Sequence, residues 1–358
     1  MSLHPLIVSC LAAATSALVV FLLIRKARQL GLVQAPEARS SHVRPTPTGG
    51  GVGIVAGTVL AGLLLPGGVA TAPALLLCGT AMAAIGLIDD RTPLPARFRL
   101  PGQILIVALG IAATGGGTAL AGNAGPAGLA VAALLLLLGG VWWVNLFNFM
   151  DGIDGIAGQQ AVTMMASAML IAALADPAAA ASWLWWYMAG LAAAALGFLA
   201  FNFPPARIFM GDAGSTFLGF SIAAIAMASL AAGWLSLPQW LLLATLFAAD
   251  ATVTLGIRFL RRQRLTEAHR SHAYQRLSRR LGGARPVTLG AAALNVCVLM
   301  PLAALAGHGM LGWLIVIVVY AAAALGALCA GAGLSDDQPA SLALYRRLLA
   351  RPKTGGAP

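Results

Sequence analysis

An all-α integral membrane protein, a polytopic bundle of about eleven transmembrane helices, is the fold class this sequence predicts. Three observations predict it. Of 358 residues, 59% are hydrophobic and only 9% charged, where soluble domains carry roughly 25% charged residues. Apolar runs recur at about 20 residues, the length that crosses roughly 30 Å of hydrocarbon. Basic residues collect in alternate loops, the bias that orients spans.

The expected spans are residues 5–24, 50–68, 71–88, 101–120, 127–144, 156–175, 182–201, 213–232, 238–259, 287–306 and 309–331. The first is followed, not preceded, by its positive cluster of Arg25, Lys26 and Arg28. That order marks a retained anchor whose start lies outside. The second opens at Gly49-Gly50-Gly51 behind the stiff Pro45-Thr46-Pro47 entry, and the third closes on Asp89-Asp90. The fifth runs into Asn145 and Asn148. The seventh stops at Asn202-Phe203-Pro204-Pro205, because prolines forbid a continuous helix. The eighth begins near Ser215, the ninth holds Asp250, and the last two flank Gly307-His308. Many alanines and 42 glycines fit close helix packing in lipid. The chain reads as one transmembrane catalytic domain, 1–358, with inner loops at about 25–49, 89–100, 145–155, 202–212 and 260–286. An inner tail, 332–358, has amphipathic pieces.

With the first loop placed inside, alternation puts all 22 Lys and Arg on the inner side. A net charge of +11 then draws anionic lipids and anionic ligands to that face. Nucleic acid is excluded as a partner, since the basic residues are scattered and no binding motif appears. Of 11 Asp and Glu, Asp176 alone falls outside. Orientation does not require this of acids. Acids gathered on one rim point to a held metal ion or to proton handling. Cys10, Cys78, Cys297 and Cys329 lie inside spans without paired spacing and read as small buried hydrophobes.

Five stretches carry the chemistry. Asp89-Asp90 ends a helix where the dipole is unfavourable and the charges repel, so the pair needs a cation, and a divalent ion suits oxygen ligands. Asn145, Asn148, Asp151 and Asp154 recur every three residues and share a face if the stretch is helical. Gly211 and Gly214 flank Asp212 where a helix begins. Its free N–H groups suit a phosphate, Asp212 a magnesium ion, and Phe209 a stacked base. In the large inner loop, His269 and His272 stand at i, i+3, on one helical face, among many arginines including Arg270. They read as anion binders more than zinc ligands. Upstream, His42 or Arg44 is placed to neutralise phosphate beside the glycine entry.

In this order, from about Arg39 to Arg276, the motifs resemble the polyprenyl-phosphate N-acetylhexosamine-1-phosphate transferases. The resemblance implies transfer of a sugar-1-phosphate from a UDP-N-acetylhexosamine to undecaprenyl phosphate, with release of UMP. It implies Mg²⁺ or Mn²⁺, a multi-pass place in the bacterial inner membrane, and a site at its cytoplasmic rim. It leaves room for a homodimer. Asp89, Asp90, Asp212, His269 and His272 match catalytic positions, and Asp212, Asp89, Asp90 and Asp151 the metal's surroundings. Asn148, Asp151, Asp154, Asn202, Phe209, Arg44 and Arg270 match positions for the nucleotide sugar, Phe209 against the uracil. The peptidoglycan branch carries consecutive histidines in the inner loop and a lysine before its Pro-Thr-Pro-like turn. This chain has His-Arg-Ser-His and Arg44, a form most similar to the O-antigen and lipopolysaccharide initiating branch. The rival class is an ion-coupled transporter, which would need acids near the midplane and inverted repeats. Only Asp250 is deep enough, and no internal repeat appears.

Overall fold

A computed structural model describes residues 4–34, 45–66, 71–264, 269–335, 338, 340–341 and 344–345. The helices, in chain order, are α1 (His4–Lys26), α2 (Gly51–Leu64), α3 (Thr71–Arg91), α4 (Ala96–Thr114), α5 (Gly116–Ala121), α6 (Gly125–Phe149) and α7 (Ile156–Ala175). After these come α8 (Trp183–Asn202), α9 (Asp212–Ala231), α10 (Leu237–Leu260), α11 (Ala273–Arg280), α12 (Ala284–Leu294), α13 (Met300–Ala306) and α14 (Met310–Ala330). A π-helical turn, Asn295–Leu299, joins α12 to α13, so that Ala284–Ala306 forms one span. Val33–Gln34 pairs antiparallel with Thr46–Pro47.

Ten of these segments are long and apolar enough to cross a membrane. The expected second span is the exception. Helix α2 has 14 residues, about 21 Å of rise. Its end has a local cause: Leu65 is extended (φ −69°, ψ 128°) because the following Pro66 disfavours helical backbone before it. What α2 lacks in length it has in closeness. A Cβ at Gly51 would stand 2.2 Å from the Gly214 Cα, and one at Gly57 2.4 Å from the Ala12 carbonyl oxygen. The fourth span starts earlier than expected, at Ala96, and stops where Gly115 turns left-handed (φ 71°).

Helix α9 is the hub and the most buried of the ten long apolar segments. It packs on α2, α3, α4, α5 and α6, among others. The outer helices α1, α4, α6 and α14 turn large apolar side chains such as Leu105, Leu138 and Ile317 outward, as a lipid-facing surface requires. The hub delivers its first residue, Asp212, to the end where α3 and α6 finish.

Candidate active site

Where α3 ends against the start of α9, one carboxylate closes a helix. Asp90 Oδ1 accepts the Asp212 N–H at 2.8 Å, and Oδ2 accepts that of Ala213 at 3.1 Å. A negative group there complements the dipole and the orphan donors of a helix start. The approach needs glycine: a Cβ on Gly86 would meet the Asp212 carbonyl oxygen at 2.3 Å, and one on Gly211 (φ 76°) would meet Asp90 at 2.8 Å. These α9 donors, expected to hold a phosphate, are therefore engaged. Gly214 and Ser215 likewise donate to the Gly211 carbonyl, each at 3.2 Å.

Asp89 has partners on two sides. It accepts the Leu94 N–H at 2.6 Å and pairs with Arg99. Its carboxylate also acts on that of Asp212, so both adjacent acids stand at the start of α9 while Asp89 is tied in addition to the start of α4.

Helix α6 continues through Asn145 and Asn148, which keep the expected common face. Asn148 Nδ2 donates to Asp212 Oδ1 at 2.8 Å and to Ser215 Oγ at 2.9 Å, and Asn145 donates to Gln103 Oε1 at 2.8 Å. Beyond Phe149 the chain turns, and Asp151 enters the cluster. Burial, then repulsion from Asp212, Asp90 and Asp154, pushes its carboxyl well above the usual range. Asp154 and Asn202 are used by the backbone. Asp154 Oδ2 accepts the Ala206 N–H at 2.8 Å. Asn202 accepts from the Gly155 N–H at 2.9 Å and donates to the Ile208 carbonyl at 2.8 Å. These two side chains join loop 150–155 to loop 203–211. Phe209 ties the second loop to the α2 entry through backbone bonds to Pro47 and Gly50, at 2.8 and 2.9 Å. Arg44 and His42 lie outside the described residues.

The histidine loop repeats the capping device. Asp250 accepts the N–H groups of Ala273 and Tyr274, at 2.9 and 2.8 Å, and the Thr254 hydroxyl at 3.0 Å. His272 Nδ1 stands 3.3 Å from the same carboxylate. Because Asp250 fixes the start of α11 at Ala273, His272 is the cap residue and His269 precedes the helix. The histidines do not share a helical face as the spacing suggested. Their rings stack instead, with centroids 5.0 Å apart. Burial, then the neighbouring His272 and Arg258, pushes the His269 imidazole down to about 3. Arg270 is exposed, and its carbonyl accepts from Arg279 at 2.8 Å.

Two residues escaped the sequence reading. Tyr274 donates its hydroxyl to the Phe149 carbonyl at 3.0 Å and packs on Gly152, joining the histidine loop to the acid cluster. Arg276, 3% exposed, grips the chain after α14. The motif that supplied the histidines contains both, but an arginine in a basic inner loop reads as solvated.

Among the described residues, no three His, Cys, Asp or Glu side chains converge closely enough to enclose a metal ion. The donor set still fits a magnesium-like ion. Asp90, Asp151, Asp154 and Asp212 repel one another around Asp151, all are hard oxygen donors, and Mg²⁺ commonly takes one or two carboxylates, completing its shell with water and substrate phosphate.

Alongside α6 lies an apolar cavity of about 850 Å³, lined by residues of α5, α6, α9, α10 and α14, among them Leu135, Trp143, Leu146, Leu241 and Tyr320. Leu146, on the same turn of α6 as Asn145 and Asn148, is the lining residue of that helix nearest to its end at Phe149.

Residues 72–230 match the family model for glycosyl transferase family 4. The chain is similar to the decaprenyl-phosphate N-acetylglucosaminephosphotransferase of Mycobacterium tuberculosis, 38% identical over 228 residues, covering 55% of this chain and 54% of the relative. It therefore spans about half the length of the mycobacterial relatives that it matches. It is also similar to the probable undecaprenyl-phosphate N-acetylglucosaminyl 1-phosphate transferase of Bacillus subtilis, 27% identical, with 76% and 77% covered. A phospho-N-acetylmuramoyl-pentapeptide-transferase of Saccharopolyspora erythraea is 32% identical, with 61% of this chain and 75% of the relative covered.

Proposed function

The chain belongs to glycosyl transferase family 4, and on that premise we propose that it moves an N-acetylhexosamine-1-phosphate from a UDP-linked donor to undecaprenyl phosphate, releasing UMP. The product starts a lipid-linked glycan. The His269-Arg270-Ser271-His272 form of the loop favours the O-antigen or lipopolysaccharide branch. The enzyme works in the bacterial inner membrane with its acid cluster at the cytoplasmic rim.

One observation carries this reading: Asp90, Asp151 and Asp212 gather beside Asn148 of α6, and the same helix lines an apolar cavity of about 850 Å³. A lipid acceptor needs both, a greasy channel for its chain and a charged station for its phosphate. In the reaction, an oxygen of the lipid phosphate attacks the β-phosphorus of the donor. The bond from that phosphorus to UMP breaks, and UMP leaves with the electron pair. Several negative charges meet, so neutralisation and positioning supply most of the acceleration. Mg²⁺ or Mn²⁺, held by Asp212 and Asp90 with Asp151 beside them, supplies part of that neutralisation when bound. Asn148 fixes the Asp212 carboxylate. Asp89 and Asp90 orient or deprotonate the lipid phosphate. Phe209 lies against the uracil, and Asp154 and Asn202 shape the loops around it. Arg44, Arg270, His269 and His272 serve the diphosphate and sugar.

The test is UMP release by purified protein with undecaprenyl phosphate, Mg²⁺ and a panel of UDP-N-acetylhexosamines. Lipid-dependent release that disappears with EDTA and in Asp212→Ala is expected. Absence of both release and nucleotide binding from folded protein would end the proposal.

A further inference from the structure

We infer that the segment after α14, residues 331–335, is a wall of the donor site, and that Arg276 is the positioning residue that locks it to the histidine loop. The identity of the ligand rests on the transferase reading; the lock does not.

The lock is dense. The buried Arg276 guanidinium donates to the carbonyls of Ala330 (3.2 Å), Leu334 (3.1 Å), Ser335 (2.5 Å) and Gln338 (2.8 Å). The first of these belongs to the end of α14, where the helix dipole favours a cation. Gly331 takes a left-handed turn there (φ 95°), and a Cβ on it would stand 2.4 Å from Arg276 Nε. Two further bonds join the segment to the loop's own backbone and to the end of α10: Gly333 N–H donates to the Ser271 carbonyl, and Arg261 donates to the Gly333 carbonyl, both at 2.9 Å. The Tyr345 hydroxyl reaches the Ala332 carbonyl at 2.8 Å.

Arg276 also sits one turn beyond His272, and its N–H donates to the His272 carbonyl at 3.1 Å. A shift of the guanidinium therefore moves the cap of α11 and the imidazole stacked on it. Segment and loop both line a cavity of about 450 Å³, bordered by Arg258 of α10, His269, Arg270 and Ser271 of the loop, and Gly333 to Ser335. Cationic and imidazole groups there suit the charge of a sugar phosphate, and the segment's carbonyls, each with two lone pairs, can accept a sugar hydroxyl besides the bond they already take. Buried arginines bound to several carbonyls tolerate no simple exchange, because lysine has the charge without the planar fork.

The experiment uses the full chain in detergent, with Arg276→Gln and Arg276→Lys, and reads two quantities. Hydrogen exchange of peptides covering 269–276 and 331–335 should quicken together in Arg276→Gln and leave the start of α9 unchanged. Steady-state kinetics should show the donor KM raised between about tenfold and a hundredfold, with the KM for undecaprenyl phosphate unchanged and Arg276→Lys intermediate. Unchanged exchange across 269–276 would overturn the lock. Faster exchange with an unchanged donor KM would overturn the positioning role. A wild-type chain inert with every donor would count against the transferase reading, and the exchange would still decide the lock.

Discussion

Asp90 and Asp250 do the same thing in two regions of the molecule, and their surroundings make them different. Each carboxylate accepts two consecutive N–H groups at the start of another helix, α9 for Asp90 and α11 for Asp250. Asp250 has in addition the Thr254 hydroxyl and the His272 ring, and its neighbours are donors. Asp90 has Asp89 beside it in sequence, and Asp151 and Asp212 across the gap. The Asp250 carboxylate is satisfied by the protein alone. The acid region is left with more negative charge than the described side chains balance, which is the condition for receiving a cation. The same device can therefore hold a shape or prepare a charge, and the residues around it decide which.

The widest separation should come from deleting each cap. Mg²⁺ should raise the melting temperature of the wild type, and Asp90→Ala should abolish that rise and lower turnover about a hundredfold or more. Asp250→Ala leaves several buried donors unsatisfied and should cost about 1–3 kcal/mol of stability while keeping that Mg²⁺ increment. If both variants lost it, or neither did, the distinction between the regions would be wrong.

A smaller effect probes Asp89 and Arg99. As a tether, Asp89→Asn and Arg99→Gln should each reduce turnover modestly, and the double variant should be no worse than the poorer single one. If Asp89 takes the proton from the lipid phosphate, Asp89→Asn at saturating Mg²⁺ should instead be far worse than Arg99→Gln.

The smallest expected change is in pH dependence. His269 titrates at about 3 in the fold, against a usual value of 6.5. As pH falls, the unfolded chain takes up a proton that the native state refuses. The contribution of His269 is thus intact above pH 6.5 and is lost progressively toward pH 3. Melting temperatures between pH 7.5 and about 5 should decline less steeply in His269→Gln than in the wild type. An identical slope would show that the ring is not held neutral.

Much of this architecture was legible because water and lipid sort residues strongly. Nearly every apolar run became a helix, and the rarity of acids marked Asp90, Asp151 and Asp212. Length was misjudged in α2, where composition stays apolar through the glycines and only Pro66 records the stop. The site was legible as residues but not as partnerships. Asp90 and Asp212 appeared as a pair of metal ligands, yet one caps the helix that the other begins. Asn202 appeared to face a nucleotide, yet its amide is occupied by Gly155 and Ile208. Such pairings join distant parts of the chain and leave no periodic trace. Arg276 was hidden for another reason: positive charge in an inner loop already has an explanation in membrane orientation, so nothing in the sequence asks for a second one.

The bond from Asp212 to Asp90 spans 122 positions of sequence. At ribosomal speeds of about 5–20 residues per second, α3 is delivered on the order of ten seconds before the helix that Asp90 will close. During that wait the two N–H groups that the carboxylate will accept do not yet exist. Its position at the end of α3, within reach of interfacial water, is what makes the interval tolerable. Biosynthesis thus sets a limit on where such a cap can be carried: an early helix must keep its acid at its rim until the late helix arrives.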